Sequence, residues 1–258
     1  MSAIKSLIPG KIKHSMPYRG LHFAKKALLG TPKDSIYFIH LSKTAGSHIK
    51  NIISEINSNR NSEKIITLHD HDVMLDRLPE YSRYFFSIRN PIQRFNSAFY
   101  WRKQQGGEHF NLPWNAHESA AFSLFEDANH LAESLFEQSE NGLKAAAAIK
   151  SIAHTSRNQI DNFSLCGNLF NVQPPLWIIR QERFDEDIRH LLSLLGVSED
   201  FKMPEAQPSS RRQNYHDVPE LSETAFRNLE RWYSQDFEFI RLCEAWLSDK
   251  LRQAKHAP

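Results

Sequence analysis

One stretch, SIYFIHLSKTAGSHIK from Ser35 to Lys50, narrows the folds open to this chain more than any other. Its first part, Ile36-Tyr37-Phe38-Ile39, is aromatic and β-branched, as a buried strand is. Its last part can wind as a helix, with apolar positions at Ile49, Ile52, Ile53 and Ile56. The loop between them is small and polar and carries one lysine, Lys43, and one glycine, Gly46. A strand turning into a helix N-terminus in this way is an anion site. The first-turn amides converge there and the helix dipole adds partial positive charge. Lys43 supplies a full charge, the hydroxyls of Thr44 and Ser47 further donors, and Ala45 and Gly46 backbone amides. A phosphate-like group is the natural guest.

The loop is not a Walker A sequence, in which the lysine directly follows the second glycine. Lys43 instead precedes Gly46 by three residues. His40-Leu41-Ser42-Lys43-Thr44-Ala45-Gly46-Ser47 resembles the 5′-phosphosulfate loop of carbohydrate sulfotransferases, H-x-P-K-T-A-G-T. Ser42 stands where that family has proline, a change expected to loosen the loop. Ser47 stands where it has threonine, which keeps the hydroxyl.

A second motif follows a second apolar run. Arg83 to Ile88 reads as a buried parallel strand. It leads into Arg89-Asn90-Pro91-Ile92-Gln93-Arg94-Phe95-Asn96-Ser97-Ala98-Phe99. Pro91 suits a helix start, which puts Arg89 at the strand end and Ser97 about two turns into the helix. A guanidinium offers paired donors to a phosphate and the serine hydroxyl a third. The segment is similar to the 3′-phosphate signature of sulfotransferases, R-[DN]-P-x-x-R-x-x-S-x-[YF]. Arg94 matches the second arginine there, and it can serve the fold or the nucleotide.

Between the motifs, Lys64 to Leu68 reads as another strand and runs into His69-Asp70-His71-Asp72. Two histidines at a strand end supply only two metal ligands, and spacing identifies no third, so no metal is expected. A general base is the better use, since neutral imidazole takes a hydroxyl proton near neutral pH. The resemblance to 2-O-sulfotransferases, whose base is the second histidine of such a pair, implies His71, with His69 as the alternate.

Downstream, Trp101, Arg102 and Lys103 suit stacking on a sugar and pairing with its acidic groups, and equally a helix that packs by Trp101. The segment from Glu118 to His154 reads as helical, divided at Asn141-Gly142, with His130 and His154 as ordinary helix-face residues. Leu176 to Ile179 reads as a further strand, and Glu182 after it as a structural partner. A helix from Phe184 to Leu195 stops at Gly196. Arg211 and Arg212 lie in a loop that, by resemblance, can close over the nucleotide. Glu220 to Leu251 reads as one long helix with a core face that includes Phe226.

The remaining totals set limits. Two cysteines, Cys166 and Cys243, are too few for a disulfide framework and are expected as buried thiols. No window approaches the ~20 apolar residues of a membrane span, and no signal-peptide pattern opens the chain, so a cytoplasmic protein is expected. Seven Lys and Arg residues precede Asp34, and no acidic residue does. This basic extension, residues 1–33, could lie on an anionic membrane surface, at the inner face of the membrane, or pack on the domain at 34–258 through its apolar residues. The second is preferred. No nucleic-acid partner is expected, and the sequence does not give the oligomeric state.

Together these readings predict an α/β protein: a three-layer, P-loop-like sulfotransferase fold with a central parallel sheet and helices on both faces. The resemblance implies a donor, PAPS (3′-phosphoadenylyl sulfate), with PAP as product, and a glycan or glycoconjugate hydroxyl as acceptor. The expected donor contacts are Lys43, Thr44, Ala45, Gly46, Ser47, Arg89 and Ser97, with Arg211 and Arg212; Trp101, Arg102 and Lys103 are the expected acceptor contacts. A P-loop kinase-like phosphotransferase and a non-catalytic nucleotide-binding module are the alternatives.

Overall fold

In the computed structural model, which describes residues 35–58, 65–79, 82–106, 110–163, 169–205 and 218–255, the apolar runs line up as one parallel sheet. Its strands are β1 (Ile36–Ile39), β2 (Ile66–Leu68), β3 (Arg83–Ile88) and β4 (Trp177–Arg180). They lie in the order β2-β1-β3-β4. The register sets Ile36 beside both Ile66 and Arg83, and Phe85 beside Trp177. All of β1 is buried, and β3 is buried from Tyr84 to Ile88, as strands covered on both faces must be. Alternation sends neighbours opposite ways. Phe86 packs on Phe163 and Phe239, while Ser87 turns to the loop after β1 and bonds Thr44. This is the α/β architecture with a central parallel sheet expected from the sequence.

Strand order fixes where a ligand can sit. The chain leaves β1 for β2 on one side, then returns across β1 to β3 on the other. The C-terminal ends of β1 and β3 therefore flank a topological switch point, the place where open α/β sheets bind ligands. Lys43 follows one of these strands and Arg89 the other.

Helix α1 (Gly46–Ser58) buries Ile49, Ile52, Ile53 and Ile56, a one-sided stripe at helical spacing. Helix α2 (Pro91–Lys103) starts where the Asn90 side chain accepts from the amides of Ile92 and Gln93, with Pro91 at the first helical position. Asn90 thus caps the helix through its side-chain oxygen.

The helical insert differs from the sequence reading. Asn141-Gly142 does not divide it. The segment breaks earlier, into α3 (Ala116–Leu124), α4 (Ala128–Ser134) and α5 (Glu140–Ser151), where Asp127 and Ser139 cap the second and third helices. Gly142 lies in the first turn of α5, and a Cβ there would collide with the Glu137 carbonyl. Its role is close approach. After a 3-10 turn at Gln159–Asn162, α6 (Leu169–Val172) leads to β4, and α7 (Phe184–Leu194) ends before Gly196, whose φ is 67°.

The C-terminal segment is two helices rather than one, α8 (Glu223–Trp232) and α9 (Ser234–Lys255). They part at Tyr233, a fully buried side chain whose hydroxyl donates to the Thr155 carbonyl. Leu229 and Leu247 are core as expected, but Phe226 is exposed. Cys243 is a buried free thiol, while Cys166 and the extension at 1–33 lie outside the described residues. No helix among the described residues is long and apolar enough to cross a membrane.

Two apolar clusters result. One gathers the sheet with α1, α7 and α9. The other joins Ile92, Phe95 and Phe99 of α2 to the insert and α8. Each fully buried leucine, isoleucine or phenylalanine contributes roughly 1.5–3 kcal/mol.

Candidate functional site

The loop after β1 is wound against the usual handedness. Lys43 has φ 64° and Ala45 φ 65°, with Thr44 between them. Left-handed non-glycine residues cost of order 1–3 kcal/mol each and persist where the surroundings impose them. Their effect is to turn successive amides inward as an anion-binding nest. The first helical bonds are donated by His48 and Ile49 to the Ala45 carbonyl, which leaves the Gly46 and Ser47 amides ahead of the ladder. Ser47 is exposed at this end.

The Thr44 hydroxyl, expected as a donor to the anion, is committed elsewhere. It is fully buried, donates to the Leu41 carbonyl and pairs with the Ser87 hydroxyl at 2.7 Å. Thr44 ties the loop to β3. Ser42, expected to loosen the loop, is held by Arg94. Its carbonyl accepts from Arg94 Nε at 3.0 Å and its hydroxyl from Arg94 Nη2 at 3.2 Å. The serine hydroxyl thus adds a side-chain bond that proline could not make.

Arg94 also donates to the Arg157 carbonyl and stands 3.8 Å from Asp236, both groups almost wholly buried. It serves the fold. Burial lifts the Asp236 carboxyl to about 6, against the pull of Arg94 and of the amides of Gln159 and Ile160 that it accepts. Gln159, held by Asp236, grips the Arg89 backbone from both sides: its amide oxygen accepts the Arg89 N–H and its amide nitrogen donates to the Arg89 carbonyl. Glu182 accepts the Asn90 amide at 2.8 Å.

So anchored, Arg89 reaches back to the first loop, Nη1 donating to the Lys43 carbonyl at 3.3 Å. The two cations are neighbours. Lys43 Nζ lies over the Trp101 ring, 4.6 Å from its centroid. Burial, and then the Arg89 charge, push the Lys43 ammonium down to about 7. Ser97 is partly exposed on α2. Arg211 and Arg212 lie outside the described residues.

Around this pair the structure gathers three imidazoles. His71 Nδ1 lies 3.1 Å from the His40 carbonyl, and the His40 and His71 rings are 3.8 Å apart. A carbonyl can only accept, so Nδ1 carries the proton and Nε2 keeps the lone pair. Asn162 secures this turn, donating to the carbonyls of His71 and Val73. Burial lowers His71 below the ordinary histidine value and drives His40 to about 2. His69 stacks on Tyr37 instead, whose side chain alternates with that of Phe38, the ring against which His40 lies.

His154, read from sequence as a helix-face residue, is the third. It sits past the end of α5 with φ 72°, its ring 5.5 Å from His71 and 5.2 Å from Trp101. Burial pushes it to about 3. Of the five non-glycine residues with left-handed φ among those described, Lys43, Ala45 and His154 are all here. His130 stays on its helix face, edge-on to Phe125. Among the described residues, no group of three or more His, Cys, Asp or Glu is arranged to hold a metal ion.

Two of the three expected acceptor contacts turn away from the site. Arg102 forms a buried bidentate pair with Glu118, at 2.7 and 2.6 Å, and Lys103 donates to the Glu126 carbonyl. Only Trp101 faces Lys43 and His154. The reason is α2 itself: neighbouring helix positions point about 100° apart, so residues 101, 102 and 103 cannot share one face.

Sequence reading missed Gln159, Asp236, Asn162 and His154. None belongs to a motif, and the first two reach Arg89 across 70 or more positions of chain. The match to the sulfotransferase family spans residues 26–240. No curated protein and no solved structure matches the chain.

Proposed function

The chain belongs to the sulfotransferase family, and from that premise we propose that it transfers the sulfuryl group of PAPS to a carbohydrate or glycoconjugate hydroxyl, with His71 as the base. The observation that carries this reading is the meeting of Lys43 and Arg89 at the switch point, beside a histidine whose Nε2 holds the lone pair.

The donor set fits a nucleotide with two separated phosphates. Lys43 with the amides of the nest suits the 5′-phosphate, where their charge would offset what builds up on the leaving oxygen. Arg89 and Ser97 suit the 3′-phosphate, a planar fork and a hydroxyl for a group with several acceptor oxygens. PAPS supplies the activated sulfuryl group: its bond from sulfur to the 5′-phosphate oxygen breaks as the bond from sulfur to the acceptor oxygen forms, and PAP departs. His71 Nε2 takes the proton that the acceptor hydroxyl loses. Burial keeps His71 neutral and ready for that proton. The His40 carbonyl, by holding Nδ1–H, fixes both tautomer and ring direction.

The test is transfer from labelled PAPS to a panel of glycans. Label should move to at least one of them. The His71→Ala variant should lose roughly 10²- to 10⁴-fold in turnover while calorimetry finds PAP affinity within about twofold of the parent. Full turnover in that variant removes His71 as base. Tight PAP binding with no transfer to any glycan points to a binding module, and phosphoryl transfer from ATP to a kinase.

A further inference from the structure

Beyond the base, the rings continue outward. From His71 the next is His154 at 5.5 Å, then Trp101 at 5.2 Å, then Phe110, edge-on to Trp101 at 6.3 Å. Phe110 is 47% exposed and Leu112 41%, an apolar pair left open beside the site. The pair is held, not dangling. The Leu112 amide donates to the Gln105 carbonyl at 2.9 Å, and Arg102 donates to the Leu112 carbonyl at 3.2 Å. Gly106, with φ 98°, allows the contact, since a Cβ there would stand 2.7 Å from Phe110 Cβ. Phe110 and Leu112 thus present an ordered apolar surface next to Trp101.

Charge says what covers it. An anionic saccharide needs cations to meet its carboxylates or sulfates. Of the cations near the track, Arg102 is bound to Glu118, Lys103 to the Glu126 carbonyl, and Arg157 to Asp72. Lys50 has Asp70 nearby, and Lys43 stands with Arg89 at the donor loop. The histidines along the track are all kept toward their neutral forms by burial. The described cations beside it are thus engaged by Glu118, Asp72, a carbonyl or the donor loop, and much of the track is apolar.

We propose that the line His71–His154–Trp101–Phe110 is the acceptor track, and that it takes an uncharged glycoside whose sugar lies along Trp101 and whose apolar aglycone covers Phe110 and Leu112. This rests on the glycan reading above and narrows it to one substrate class. An aromatic platform with few polar anchors suits such a molecule. Trp101 and Phe110 then determine specificity, and His71 alone in the line exchanges a proton.

The experiment compares kcat/KM, with labelled PAPS, for four acceptors: a neutral sugar, its octyl glycoside, an oligosaccharide bearing carboxylates, and octanol. The octyl glycoside should exceed the free sugar by roughly tenfold or more, as covering an exposed phenylalanine implies. The carboxylated saccharide should be poorest of the three sugars. Phe110→Ala should bring the ratio of octyl glycoside to free sugar close to one, and Phe110→Leu should keep most of it. Melting curves check that both variants fold. Preference for the carboxylated saccharide, or an unchanged ratio in Phe110→Ala, overturns the track and leaves sulfuryl transfer to glycans standing. Octanol sulfated with every sugar refused overturns the glycan reading, and with it the glycoside assignment. Label transferred to none of the four overturns both.

Discussion

The proposed donor half and the proposed acceptor half of this site are built by different means. Lys43 and Arg89 leave neighbouring strands, and a buried scaffold holds both: Arg94 on Ser42, Asp236 on Gln159, Gln159 on Arg89. Trp101, His154 and Phe110 come from a helix, a strained turn and a loop, and meet through ring contacts. Hydrogen bonds with fixed directions specify the first half, packing and shape the second. The difference teaches that directional bonds hold the Lys43–Arg89 pair in one geometry, while the aromatic side is set by packing, which on the proposed function would let the acceptor vary more than the anion.

The largest effect should come from breaking the donor scaffold. Arg94→Ala leaves Asp236 buried without its cation and frees Ser42, a loss of about 3–5 kcal/mol of stability by the rule for severed buried pairs. Denaturant unfolding measures it. If the variant is as stable as the parent, the scaffold is not what holds the halves in place.

Next is a change at their junction. A Cβ on Gly46 would run into the His40 ring, whose own carbonyl holds His71. Gly46→Ala should therefore disturb donor loop and base together, at a cost of about 1–3 kcal/mol, seen as weaker PAP binding and lower turnover in one variant. An effect on only one of the two would show that His40 does not couple them.

These cases also show how much could be read in advance. Lys43, Arg89 and the order of elements were legible because each sits inside a contiguous pattern: apolar strand, polar loop, helix start. Gln159 and Asp236 were not, since each reaches its partner across 70 or more positions, and His154 meets Trp101 and His71 from 53 and 83 positions away. Arg102 and Lys103 misled for a related reason. Their residue types suit an acidic sugar, but a helix points neighbours in different directions, and Glu118, which captures Arg102, is sixteen positions on. Ser42 and Tyr233 show that one long-range bond can reverse a local expectation.

A crossed pair sharpens the comparison further. Arg89→Ala should weaken PAP binding by roughly ten- to a hundredfold, the worth of charge-assisted bonds to a phosphate, with acceptor KM little moved. His154→Ala should do the reverse, raising acceptor KM by roughly tenfold while PAP affinity stays within about twofold. Calorimetry and steady-state kinetics read the two effects separately. Both variants shifting both constants alike would mean that the halves are a single unit.

The smallest effect is one proton, and it tests the contact between the halves. In the free protein Lys43 is pushed down to about 7, burial outweighing what the Trp101 face returns. A bound phosphate favours the charged amine, so its pKa must rise on binding. Between the two values, binding takes up a proton, and PAP affinity falls as pH climbs above about 7. His71, lowered from 6.5, is neutral through that range, which sets the acid limb of kcat/KM below 6.5 and the alkaline limb near 7. Calorimetry at about pH 8, in buffers of differing ionisation heat, should find uptake approaching one proton. His154→Ala should leave that uptake in place, whereas Lys43→Arg should abolish it, because guanidinium stays charged throughout. Uptake that persists in Lys43→Arg would move the titrating group elsewhere. Uptake lost in His154→Ala would mean that the acceptor side sets the charge of the donor lysine, and the division between the halves would fail at Trp101, the ring that touches both.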